Sequence, residues 1–283
     1  MRGPLHPGRP RLTIRRRGAA RLALALALLT TACAPPVPPR APWPSGPFPF
    51  AEYDALLSRY TDEQGRVDYA ALKQRDADTV ERLYASLAAT GPDKTPALYP
   101  GPGAALAYYL CAYNLLIWKN VLDHVPIEQP AAVRLDAGLY RFFRSPEFLI
   151  DGRALDLYDL EHRIIRRRFR DGRIHFALNC ASAGCPILPR AAFVPEQVEQ
   201  QLDRAARRFV TEPRNVRLDA ERRTVTLSSL FKWYQGDFGG DAQAVLRFIN
   251  HHRTAAGAEP LPPGLAIRYE PYDWRLNDRS LPR

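Results

Sequence analysis

The sequence predicts an α+β fold: a mostly helical single domain packed around a small β-sheet, with a central buried helix. Three observations predict it. Apolar residues recur at helical spacing through most of the chain, one stretch is apolar almost all round, and alternation of the strand type is confined to short runs. No internal repeat interrupts this pattern.

Taken in order, residues 1–33 read as a signal peptide, 34–50 as a tether and 51–283 as the globular domain. The leader holds seven arginines and no acidic residue, followed by the apolar run LALALALLTTA. That run is too short to span a bilayer permanently and has the anatomy of a secretory signal. Leu29 to Cys33 resembles a bacterial lipobox, with Thr30 in place of the usual aliphatic residue, so Cys33 is the expected lipidation site. Ala34 after it points to outer-membrane sorting. Eight prolines between Ala34 and Phe50 favour an extended polyproline-like tether.

The first helix carries Tyr53, Leu56, Leu57 and Tyr60. A second segment runs from Tyr69 through Leu72, and a third carries Val80, Leu83, Tyr84 and Leu87, closed by Gly91-Pro92. Ala104 to Val121 is the apolar helix, expected at the centre of the core. Within it, Asn114 must be hydrogen-bonded, and a structural tie to a neighbouring loop is favoured over a catalytic role. Residues 124–148 read as irregular with a short helix. Asp151-Gly152 turns the chain toward Asp156, the expected cap of a helix carrying Glu161, His162 and Arg166. Arg173 to Asn179 alternates and reads as a strand running into the turn Cys180 to Pro186. A helix from Pro195 to about Val210, a hairpin around 219–221, a helix capped by Ser228, another capped by Asp241 and a strand at 265–269 complete the chain.

The +10 net charge suggests nucleic acid until it is divided along the chain. Without the leader, 33 basic residues face 30 acidic ones, so the surplus is mainly a targeting device and no nucleic-acid partner is expected. The expected setting is the cell envelope, on the periplasmic face of the outer membrane, with the membrane reached through a lipid anchor. With Cys33 lipidated, Cys111, Cys180 and Cys185 remain, an odd count that leaves at least one free thiol.

The segment Gly172 to Pro189 crowds a thiol, an imidazole and turn residues together. In a thiol enzyme Cys180 is the nucleophile and His175 or His162 the base, with Glu161, Asp273 or Asn277 orienting the imidazole. Backbone amides of Ala181 to Gly184 would form an oxyanion hole. Asn114, Arg166, Asn179 and Ser182 are the binding candidates. Equally compatible is a Cys180–Cys185 disulfide, structural or redox, since four intervening residues in a turn bring the α-carbons into range. Metal binding by His175, Cys180 and Cys185 ranks third, because their spacing is not that of a zinc site and no fourth ligand is evident; no metal or cofactor is expected. Arg163, Arg166, Arg167, Arg168 and Arg170 form a basic face that suits anionic lipid or polysaccharide, or is merely solvated.

AYYLCAYNLLIW, LDLYDLEHRIIR, RIHFALNCASAGCPIL and YDWRLN, in this order, resemble the family called domain of unknown function 547, over roughly Tyr53 to Asn277. Its members look alike at the positions of Asn114, Glu161, His162, Arg166, His175, Cys180, Cys185-Pro186 and Tyr272-Asp273-Trp274. Cys111 stands where asparagine is usual and Asp156 where serine is usual. The resemblance implies no activity. Two functions therefore stay open: thiol-dependent acyl or amide chemistry, or a non-catalytic envelope module that binds polymer or peptide and carries a structural or redox Cys180–Cys185 pair.

Overall fold

Helix α3 (Gly101–His124) is built from Ala, Leu and Tyr with its only proline in the first turn, where the missing N–H costs nothing. Every residue from Ala104 to Leu122 is buried, so the chain wraps this helix on all sides. The computed structural model describes residues 36–42, 44–127 and 139–281, and residues 1–33, expected from the sequence to be a signal peptide ending at Cys33, lie outside them. Among the described residues no helix is long and apolar enough to cross a membrane.

Helix α1 (Phe50–Tyr60) buries Tyr53, Leu56, Leu57 and Tyr60. The two helical segments expected after it form one element, α2 (Tyr69–Ala89), with a kink at Asp76 (φ −133°, ψ 19°). The Asp76 carboxylate accepts hydrogen bonds from Arg59 and the Tyr60 hydroxyl at 2.8 and 2.5 Å, which ties the kink to α1. Helix α2 packs along α3, and the Tyr108 hydroxyl donates to the carbonyls of Leu87 and Thr90 at its end. A buried hydroxyl is thus spent on carbonyls that the helix leaves open.

Helix α4 (Leu139–Arg144) leads to a hairpin that the sequence did not announce, β1 (Phe148–Ile150) and β2 (Arg153–Leu155), turned by Asp151 and Gly152, both at positive φ. The Asp151 carboxylate accepts from the backbone N–H groups of Asp93 and Lys94 and from Tyr109. Gly91 is required beside it, since a Cβ there would lie 2.4 Å from that carboxylate.

Next comes one helical run of α5 (Leu157–Asp159), a π-helical turn (Leu160–Ile165) and α6 (Arg166–Phe169). Asp156 caps it by accepting from the Asp159 N–H at 2.6 Å. The stretch expected as a strand, 173–179, begins instead as a 3-10 helix (Gly172–Phe176). Its two faces belong to different cores: Ile174, Ala177 and Leu178 pack with the α1–α3 cluster, and Phe176 packs with a second cluster. Burial on both faces imitates strand alternation.

The second cluster lies among α7 (Val198–Thr211), α9 (Ala242–Ala255) and a three-stranded sheet of β3 (Val216–Asp219), β4 (Thr224–Leu227) and β5 (Ala266–Tyr269). Strands β3 and β4 pair antiparallel, and β4 and β5 pair parallel with Val225 opposite Ile267. Parallel pairing needs a crossover. Here α8 (Leu230–Trp233), a 3-10 turn (Gln235–Phe238) and α9 supply it, the last capped by Asp241.

The proline-rich stretch is docked rather than free over its described part. Val37 bridges Phe148, and the buried Phe48 packs edge-on against Tyr53 and Tyr108 while its N–H donates to the Tyr99 hydroxyl. Phenylalanine burial of this kind outweighs the chain entropy that an extended tether would keep.

Candidate functional site

A cleft of about 890 Å³ opens between the two clusters. It gathers Glu161, His162, Arg166, His175, Cys180 and Cys185 with the rings of Tyr113, Tyr158, Trp233, Tyr234, Tyr272 and Trp274.

The π-helical turn supplies one wall. Its wider turn replaces the regular α-helix expected at 157–166, so Glu161 and Ile165 do not keep α-helical i, i+4 stacking. Glu161 is 8% exposed, and its Oε2 accepts from the Tyr113 hydroxyl at 3.2 Å; burial, and then the Glu161 charge, push the nearby Tyr234 phenol well above its ordinary pKa. Nδ1 of His162 lies 3.5 Å both from Glu161 and from Arg166. Burial pushes the His162 imidazole below its ordinary pKa, Glu161 opposes that and Arg166 adds to it.

The 3-10 helix supplies His175. Its Nε2 sits 2.7 Å from Asp237 Oδ2, and its ring stacks on Tyr234 at 3.8 Å. Arg166 Nε donates to the same Asp237 oxygen at 2.6 Å. The His175 hydrogen bond, and then Arg166, hold the Asp237 carboxyl far below the usual carboxylate range despite its partial burial. Asp237 escaped the sequence reading. The glycine-flanked turn Tyr234-Gln-Gly-Asp-Phe-Gly-Gly was the available signal, because a carboxylate between two helices in such a turn is readily aimed inward.

At the cleft floor Cys180 and Cys185 form a disulfide, with α-carbons 6.3 Å apart. Cys180 therefore carries no free thiol in this form. Its Sγ neighbours the hydroxyls of Ser182 (3.1 Å) and Tyr272 (3.4 Å), while His175 Nε2 is directed to Asp237. The expected oxyanion hole is also occupied: the N–H groups of Ala181, Ala183 and Gly184 donate to Asn179, Arg275 and Asp273.

Other candidates sit elsewhere. Asp273 pairs with Arg275 at 2.5 Å and lines a separate hollow with Gly184 and Arg214, outside the cleft. Asn114 holds the disulfide loop to α3: its amide donates to the Ala177 carbonyl, and its oxygen accepts from the Asn179 N–H, both at 2.9 Å. Asn179 in turn donates to the Pro186 carbonyl at 2.8 Å. Buried Cys111 donates to the Phe193 carbonyl on the far side of the helix. Of the basic face, Arg163, Arg166 and Arg168 are paired with Asp159, Asp237 and Asp93. Among the described residues no group of three His, Cys, Asp or Glu side chains could hold a metal ion.

No curated protein and no solved structure matches the chain. Residues 102–210, the segment that holds α3, the π-helical turn and the disulfide loop, match the model of the family described as Protein of unknown function, DUF547.

Proposed function

We propose that the protein binds, in this cleft, a ligand carrying an ammonium group on an apolar or ring-bearing body, and that it does so in the cell envelope, on a peptide or polymer. The carrying observation is the Glu161 carboxylate, lodged among aromatic rings and hydrogen-bonded by the neutral hydroxyl of Tyr113. Hydroxyl donors hold a carboxylate in place without cancelling its charge. The nearby guanidiniums of Arg166 and Arg144 are turned to Asp237 and to Asp156 and Asp159. An ammonium entering the cleft would pair with Glu161 and gain cation–π attraction from the ring faces. The envelope setting is supported by the leader's charge, its short apolar run and Cys33.

Binding is favoured over thiol-dependent acyl or amide chemistry because that reaction needs a free thiolate beside a base. Here the sulfur is bonded to Cys185 and the imidazole to Asp237. The test is a titration of the full chain with phenethylammonium, followed by calorimetry or by the fluorescence of Trp233 and Trp274. Saturable binding is expected, weakened at least about tenfold in Glu161→Gln and absent for neutral phenethyl alcohol. Equal binding of the alcohol, or unchanged affinity in Glu161→Gln, overturns the reading.

A further inference from the structure

The two sulfurs of the cleft disulfide are not equivalent. Cys185 is 4% exposed, and its Sγ receives the Cys180 backbone N–H at 2.9 Å and the Tyr272 hydroxyl at 3.2 Å. Ser182 Oγ lies 3.4 Å from the same sulfur and 3.0 Å from the Tyr272 hydroxyl. Each hydroxyl has one proton, so the two can act in series, Ser182 donating to Tyr272 and Tyr272 to Cys185. Cys180 is only half-buried and receives no backbone N–H among these contacts. The turn that presents it runs through Ala181 at φ 63°, a left-handed conformation unusual for alanine. Hydrogen bonds from the Ala181 N–H to Asn179 and from the Asn277 N–H to the Ala181 carbonyl hold that conformation. Strain held in this way is characteristic of a working site.

We propose that Cys180–Cys185 is a redox-active disulfide that exchanges with thiols admitted to the cleft, with Cys180 the attacked sulfur and Cys185 the leaving one. The step balances. A substrate thiolate attacks Cys180 Sγ, the Cys180–Cys185 bond breaks, and its electron pair stays on Cys185 as a thiolate held by the amide and the Tyr272 hydroxyl. A second substrate thiolate attacks the substrate sulfur of the mixed disulfide and releases Cys180. Two thiols become one disulfide, and two electrons and two protons pass to the protein. Charge-assisted hydrogen bonds are about twice as strong as neutral ones, so these donors help most when Cys185 carries the charge. The activity rests on the cleft admitting a ligand but not on Glu161.

The experiment treats the native full chain with 2-mercaptoethanol, a neutral thiol that needs no ammonium site. Acid quenching and peptide mapping then locate the adduct. The mixed disulfide is expected on Cys180, and Tyr272→Phe should slow its formation about tenfold. Ser182→Ala, which leaves the aromatic wall intact, should slow it less and serves if Tyr272→Phe folds poorly. An adduct on Cys185, a bond reduced only after denaturation, or an unchanged rate in both variants overturns the proposal. Phenethylammonium binding to Glu161→Gln is scored independently, so the failure of one reading is distinguishable from failure of the other.

Discussion

His175 and Asp237, 62 residues apart in the chain, meet at 2.7 Å, and through this contact the 3-10 helix before the disulfide loop is fastened to the turn before α9. The same Asp237 oxygen takes Arg166 Nε from the helix bearing Glu161, so one carboxylate joins three walls of the cleft. The folded-state pKa of Asp237 is depressed, first by the His175 hydrogen bond. Its stabilisation is therefore complete above the unfolded carboxyl pKa of about 4 and fades as pH falls toward the lower folded value. Asp237→Asn should cost about 1–3 kcal/mol at pH 7. Urea unfolding at a series of pH values checks this, the wild-type advantage shrinking below about pH 4.

His252 lies buried on α9 beside His251 and Phe248, and burial pushes its imidazole down to about 4. Asp203 opposes that shift, whereas His251, Arg173 and Arg207 add to it. Between that value and the ordinary histidine pKa of about 6.5 the unfolded chain binds the proton and the folded chain does not. Stability should therefore be full above pH 6.5 and fall, by on the order of 2 kcal/mol, as pH drops to about 4. His252→Gln should flatten this slope. A slope of the same size in the variant would assign it to other groups.

Asn114→Ala removes an amide that satisfies two buried backbone groups, the Ala177 carbonyl and the Asn179 N–H. Leaving both unpaired should cost about 2–4 kcal/mol. Hydrogen exchange should speed up first at Asn179 and the loop beyond it, before the rest of α3. Uniform loss of protection along α3 would mean that the residue serves the helix rather than the loop.

The fold was legible where one periodicity dominates. Helix α3 is apolar on every face, α9 carries its cap at Asp241, and the β3–β4 pair flanks the short charged turn 220–223, so local rules and tertiary packing agree there. The 173–179 stretch failed because Ile174 and Phe176 are buried in different cores, and a segment buried on both sides has no single face to count. The π-helical turn has no sequence rule of its own. Of the site, Glu161, His162, His175 and the two cysteines were visible as residue types that carry chemistry. Their partners Tyr113, Tyr234 and Asp237 come from distant segments, and local spacing carries no information about such contacts. The cleft is a product of the tertiary fold, and the disulfide turn alone was readable as a local unit.

The cysteines offer a last prediction that separates local chemistry from burial. Cys111 is enclosed by α3 and its neighbours, burial pushes its thiol up, and its proton is given to the Phe193 carbonyl. Iodoacetamide should leave it unmodified in the native protein across the neutral range, since the thiolate is the reactive form and the side chain is out of reach. After unfolding without reductant, peptide mapping should find Cys111 alkylated while Cys180 and Cys185 stay crosslinked. Reduction of the unfolded chain should then expose both. Reduction of the native chain, by contrast, should make Cys180 the first of the three to label, because it alone is half-buried at the cleft, and Cys111 the last. Early labelling of Cys111 would mean that α3 opens readily, and the burial assigned to the central helix would be wrong at its middle.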